Sequence, residues 1–110
     1  MVEMSANQHF VYKFGEFVLD PREKSLFAGG RAVHLSAKEF ETLLLLVEHN
    51  GSALAKDEMI ANLWHDAIVE ENNLAKQISR LRKALGDNKR KLISTLPKFG
   101  ERFSANVTRT

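Results

Sequence analysis

The chain has no cysteine, which excludes disulfide frameworks, thiolate nucleophiles and thiolate metal sites. Its four histidines, His9, His34, His49 and His65, are scattered, and none forms a metal-ligand pair at helical spacing. Long apolar runs are missing as well. The longest, Leu43-Leu44-Leu45-Leu46-Val47, is far too short to span a bilayer. The segment from Met1 to His9 lacks the apolar stretch of a secretory leader. The 110 residues fit one domain with one modest hydrophobic core. A cytoplasmic domain with no metal and no cofactor is expected.

Negative charge is scarce in the last third. Residues 72–110 carry ten basic side chains and only two acidic ones, Asp87 and Glu101. Residues 1–71 carry six basic and twelve acidic ones. A net charge of +2 therefore hides a strong asymmetry. A basic end on an acidic body points to a polyanionic partner, since it orients in the field of a nucleic acid. The competing reading is a solvated basic surface.

The first third reads as strands. Phe10–Phe14 and Phe17–Asp20 are aromatic and β-branched runs separated by Gly15-Glu16. Asp20-Pro21-Arg22-Glu23 reads as a turn. Ser25–Ala28 and Arg31–Leu35 flank Gly29-Gly30, a two-residue hairpin signal. Three helices follow. Ser36 and Glu39 form a capping box for the first, whose period is kept by Phe40, Leu43, Leu44 and Val47 and which ends at Asn50-Gly51. The second spans about Lys56 to Trp64, with Ala55 as a weak N-cap. The third runs from Asn72 or Asn73, either of which can cap it, to Leu85, and Gly86-Asp87-Asn88 stops it. After the basic link Lys89-Arg90-Lys91, Leu92–Leu96 and Glu101–Ser104 flank the turn Pro97-Lys98-Phe99-Gly100. Residues 1–9 and 105–110 are expected to be flexible ends around a 10–104 domain.

The third helix carries the functional signal. Leu74, Ile78, Leu81 and Leu85 form a narrow apolar stripe. The opposite face is read as Asn73, Lys76, Gln77, Arg80 and Lys83. Amides can pair with adenine and arginine with guanine in a major groove. Arg82 and the N-terminal end of the helix suit phosphates. Lys98 at the hairpin tip can reach a minor groove or its phosphates, although a lysine there could equally guard a sheet edge. Helix, connection, polar-faced helix and basic hairpin is helix-turn-helix order with a wing.

In this order and spacing, the segments Phe17–Pro21, Leu35–Leu43, Leu63-Trp64, Ile78–Leu85 and Ile93–Phe103 resemble the effector domain of OmpR/PhoB-type regulators, and more closely the CadC/ToxR-like variant. The resemblance implies an α+β winged helix-turn-helix with an N-terminal four-stranded antiparallel sheet, three helices and a C-terminal β-hairpin wing. It implies sequence-specific binding of double-stranded DNA in bacterial transcription regulation. Base-reading positions would be Asn73, Lys76, Gln77 and Arg80. Backbone contacts would fall to Asn72, Arg82, Lys83, Lys98 and Arg102, and to Trp64 unless that ring is pure core. The loop holding His65, Asp66, Glu70 and Glu71 matches one that touches RNA polymerase in some members. Head-to-tail self-association on DNA is also implied, as is a place in the cytoplasmic part of a longer, membrane-anchored regulator. Three departures stand out. Ala55 replaces a capping serine, Glu101 replaces a tyrosine and would place negative charge near the DNA, and two asparagines open the third helix.

Two rival readings remain. An enzyme would need His65-Asp66 and Glu70-Glu71 to converge in a cleft. A winged-helix protein-interaction module without DNA binding would have Lys76, Gln77 and Arg80 covered or neutralised in a complex.

Overall fold

The computed structural model describes residues 9–65 and 69–110, with Glu71 as backbone alone. The chain opens with β1 (Tyr12–Phe14), β2 (Phe17–Asp20), β3 (Ser25–Ala28) and β4 (Arg31–Ala32). The expected meander is there, with Phe14 opposite Phe17 across the first turn and Ala28 opposite Arg31 across the second. Gly29 and Gly30 both have positive φ, which the tight turn requires. Asp20 Oδ1 accepts from the amides of Arg22 and Glu23 at 3.0 and 3.1 Å, so the aspartate turn forms as read. Alternation along the strands turns Tyr12, Phe14, Phe17, Leu19 and Leu26 inward.

Helix α1 (Ala37–Glu48) starts on the expected capping box, with Ser36 Oγ accepting from the Glu39 amide at 3.1 Å and Glu39 accepting from the Ser36 amide at 3.0 Å. It is the central helix, and Leu43, Leu46 and Val47 are buried against its neighbours. Its C-terminal end is tied to the last strands, because Asn50 Nδ2 donates to the carbonyls of Phe103 and Ala105. A strand the sequence reading did not anticipate, β5 (Ala53–Ala55), comes next and leads directly into α2 (Lys56–Leu63). Ala55 is the N-cap of α2 and offers no side-chain bond, as expected; only Glu58 closes the end, accepting from the Ala55 amide at 3.0 Å.

Helix α3 (Glu71–Leu85) begins one to two residues before the expected asparagines, with Glu70 at the N-cap and no side-chain cap bond. Gly86, with φ of 69°, ends it in the left-handed conformation. The wing hairpin is β6 (Ile93–Leu96) and β7 (Gly100–Phe103). Strand β5 pairs with β7 on its other side, giving a three-stranded sheet of order β5-β7-β6. Gly100 lies opposite Ala55 in this pairing, and a Cβ there would lie 1.8 Å from the Leu54 carbonyl oxygen.

The expectation of a flexible 105–110 tail is corrected. Thr108–Arg109 form β8, which pairs with β1 and extends the N-terminal sheet to five strands, β4-β3-β2-β1-β8. Val11 and Thr110 exchange both backbone hydrogen bonds at 2.9 and 3.0 Å, and the Arg109 guanidinium lies 5.0 Å from the centre of the Phe10 ring. The free edge of β1 supplies unpaired backbone groups, and the tail satisfies them. At the other end of the chain, residues 1–8 lie outside those described. His9, the last of the expected flexible nine, bonds Asp20 Oδ1 at 2.9 Å. The two sheets and the three helices share one core, and Phe14 meets Phe103 edge-on at 5.0 Å where the sheets come together.

Candidate nucleic-acid interface

The exposed surface of α3 is set by its apolar stripe. Leu74, Ile78, Leu81 and Leu85 are buried as expected, so the side chains half a turn away face solvent. These are Asn72, Asn73, Lys76, Ser79, Arg80 and Lys83. Arg80 lies toward one flank of that face, and Arg82, on the other flank, turns toward the wing. Ser79 is a residue the sequence reading passed over. Its signal was present, since it sits three residues after Lys76 and four before Lys83, at the middle of the same face.

Gln77 is a correction. It is expected on the base-reading face, but it is 5% exposed and its Nε2 has no hydrogen-bond partner. The reason is helical geometry: Gln77 follows Leu74 by three residues and precedes Leu81 by four, so it belongs to the apolar stripe. An amide buried there cannot reach a base edge.

Arg82 is a second correction. Its Nε and Nη2 donate to the Ile93 carbonyl at 3.3 and 2.9 Å, and Nη2 also donates to Thr95 Oγ1 at 2.7 Å. The Glu101 carboxylate lies 3.7 Å away. The guanidinium assigned to a phosphate is instead engaged by the wing.

Glu101 itself is 7% exposed and accepts from Thr95 Oγ1 at 2.8 Å. The expectation that it would place negative charge against DNA is therefore overturned, because β7 turns it inward toward α3. Burial pushes its carboxyl above the ordinary 4.5, against the opposing pull of the Thr95 hydroxyl and of Arg82, Arg90 and Lys56.

The wing tip is as expected. Lys98 is exposed, with φ of 63° in the left-handed region, and Phe99 beside it is 48% exposed. The Phe99 carbonyl accepts from the Lys56 amide at 2.8 Å, which props the tip against the start of α2. Arg102 does not join this group. It is half-buried on the face of β7 opposite Glu101, and its Nε has no hydrogen-bond partner.

Trp64 ends α2 half-buried against the core, with Lys38 Nζ 5.6 Å from its ring centre, so packing accounts for it. His65 and Glu70 are exposed at the two ends of the α2–α3 connection. Asp66 and the Glu71 side chain lie outside the described residues.

The link from α3 to the wing is built on one carboxylate. Buried Asp87 accepts from the amides of Lys91, Leu92 and Ile93 at 2.8, 3.0 and 2.9 Å. In the sequence, Asp87 stands out only as part of a helix stop. A groove runs between α3 and the wing, and its lining includes Ser79, Lys83, Arg90 and Thr95. A two-element surface results, with a polar, cationic helix face on one side, a lysine-tipped hairpin on the other and basic side chains between.

Known proteins share this fold and part of this sequence. The chain is 32% identical over 103 residues to the transcriptional activator CadC of Escherichia coli K12, covering 91% of this chain and 20% of that regulator, so it spans about a fifth of the relative's length. The solved DNA-binding domain of E. coli CadC superposes with a TM-score of 0.79 at 32% identity, over 89% of this chain and 94% of that one. The DNA-binding domain of Klebsiella pneumoniae RstA, solved in complex with the RstA box, gives 0.77 at 30% identity, over 86% and 96%. The model of the family described as "Transcriptional regulatory protein, C terminal" matches residues 30–103. With its winged-helix fold, its exposed α3 face and this match over most of its length, the chain belongs to the family of C-terminal domains of transcriptional regulatory proteins.

Proposed function

We propose that this domain binds double-stranded DNA sequence-specifically in bacterial transcription regulation, with α3 in the major groove and the β6–β7 wing at the minor groove. The observation that carries it is the exposed row Asn72, Asn73, Lys76, Arg80 and Lys83 on one helix, flanked by Lys98 on a hairpin fixed beside it. Arg80 is suited to a bidentate contact with guanine, and Asn73 and Lys76 to neighbouring base edges. Asn72, Lys83 and Lys98 are placed for phosphates, and Ser79 joins the base-facing group. The similarity to domains solved as DNA-binding domains supports this reading.

The polymerase contact through His65 and Glu70, head-to-tail association on DNA, and a cytoplasmic place in a longer membrane-anchored regulator remain part of the proposal. They rest on the resemblance to CadC/ToxR-like proteins. None of the described helices is long and apolar enough to cross a membrane.

Random-site selection on duplex DNA tests the central claim. Arg80→Ala should cost about 1–3 kcal/mol on the selected site and relax one base position. Lys98→Ala should weaken binding to all sequences and flatten the salt slope by about one unit. Failure of the wild-type chain to bind any duplex in a salt-dependent way would sink the claim.

A further inference from the structure

We propose that Arg82 is a positioning residue that clasps the wing to the recognition helix, with Thr95 and Glu101 as its partners, and that it acts on DNA only by fixing where the wing tip stands. The inference rests on the DNA-binding reading above. Arg82 leaves the same helix that carries Lys76, Arg80 and Lys83. Its guanidinium takes the Ile93 carbonyl and the Thr95 hydroxyl on the strand entering the wing, and it faces Glu101 on the strand leaving it. One side chain therefore touches both strands of the hairpin whose turn holds Lys98.

The supports around it complete a rigid base. Asp87 gathers three amides at the foot of β6, and the Lys56 amide holds the Phe99 carbonyl near the tip. The Arg82 side chain is 14% exposed and that of Glu101 9%. Swinging the arginine out to a phosphate would leave a buried carboxylate without its cation, a costly exchange. Glu101 thus gains a role that its place after the wing glycine did not suggest: it keeps Arg82 at home.

Lysine keeps the charge of arginine but not its planar fork, which separates a clasp from a phosphate contact. Duplex affinity would be measured across a salt series for wild type, Arg82→Lys, Arg82→Ala and Lys98→Ala, and for each Arg82 change combined with Lys98→Ala. The clasp predicts that both Arg82 changes weaken binding alike, by roughly tenfold, and add little once Lys98 is gone. Near-normal binding by Arg82→Lys would overturn it. So would an equal loss from Arg82→Ala in both backgrounds with a further slope change of about one, the mark of a direct phosphate contact.

Amide hydrogen exchange on the free protein tests the clasp without DNA. Arg82→Lys and the near-isosteric Thr95→Val should speed exchange in residues 93–103 while α1 stays protected. Unchanged protection of the wing would overturn the clasp, whereas absence of DNA binding by wild type beside a loosened wing in the variants would fault only the DNA reading.

Discussion

At the scale of single residues, two buried polar groups shape the interface from beneath. Gln77 brings an amide into the stripe under α3, and its Nε2 is unpartnered there. Such a group costs about 1–3 kcal/mol relative to a satisfied or apolar one. Gln77→Leu should therefore keep or raise the urea midpoint and leave DNA affinity within about twofold, since uncoupled positions change binding little. A lost base preference in a repeated site selection would show that Gln77 reaches DNA after all. Glu101 has a pH signature. Its folded carboxyl titrates above the ordinary 4.5 because burial disfavours the charged form. A proton is then held more tightly in the folded state, so the stabilising increment is complete below about 4.5 and disappears as pH rises through the folded value. Wild type should gain stability relative to Glu101→Gln as the pH falls from neutral toward that range in urea titrations. A constant difference between the two proteins across this window would contradict the assignment.

Elements meet in two places where one atom decides the outcome. Ala55 has N-cap backbone geometry but no oxygen to offer, so the α2 amides lack a side-chain acceptor at that position. Ala55→Ser should stabilise the domain by about 1 kcal/mol, read from chemical denaturation. An accompanying rise in DNA affinity would mark the start of α2 as a phosphate contact as well. Gly100 allows β5 and β7 to approach this closely, and a methyl group there would collide with the Leu54 carbonyl oxygen. Gly100→Ala should cost about 3 kcal/mol or more and lower wing protection first, because the strand pair must separate to admit the carbon. Stability close to wild type would mean that the strand pair can relax. The sequence marked both positions, Ala55 as a weak cap and Gly100 as a turn residue. The requirement at Gly100 comes instead from β5, a three-residue strand whose small side chains carry no period long enough to read.

Across the whole molecule, the strand β8 covers the β1 edge of the first sheet. Deleting residues 106–110 would remove β8 and expose the backbone edge of β1. The expected result is a loss of about 1–3 kcal/mol, from the paired backbone groups and the Arg109–Phe10 contact, together with concentration-dependent association seen by light scattering. An unchanged denaturation curve would show that the tail contributes nothing. The helices, the Ser36 capping box, the Gly29-Gly30 hairpin, the Gly86 stop and the cationic character of α3 are legible in the residues alone, because capping, turn chemistry and hydrophobic period act within a few residues. So is the place of Lys98 at an exposed tip. Packing alone fixes which polar groups are free to meet a ligand. Arg82 and Glu101 look like surface residues in a string of letters. They are withdrawn because α3, β6 and β7 converge, and a buried donor or charge must find its partner within that junction or go without. The frayed tail and the unread β5 failed for the same reason, since strand pairing is a contact between segments distant in sequence, and no local pattern in either segment announces it.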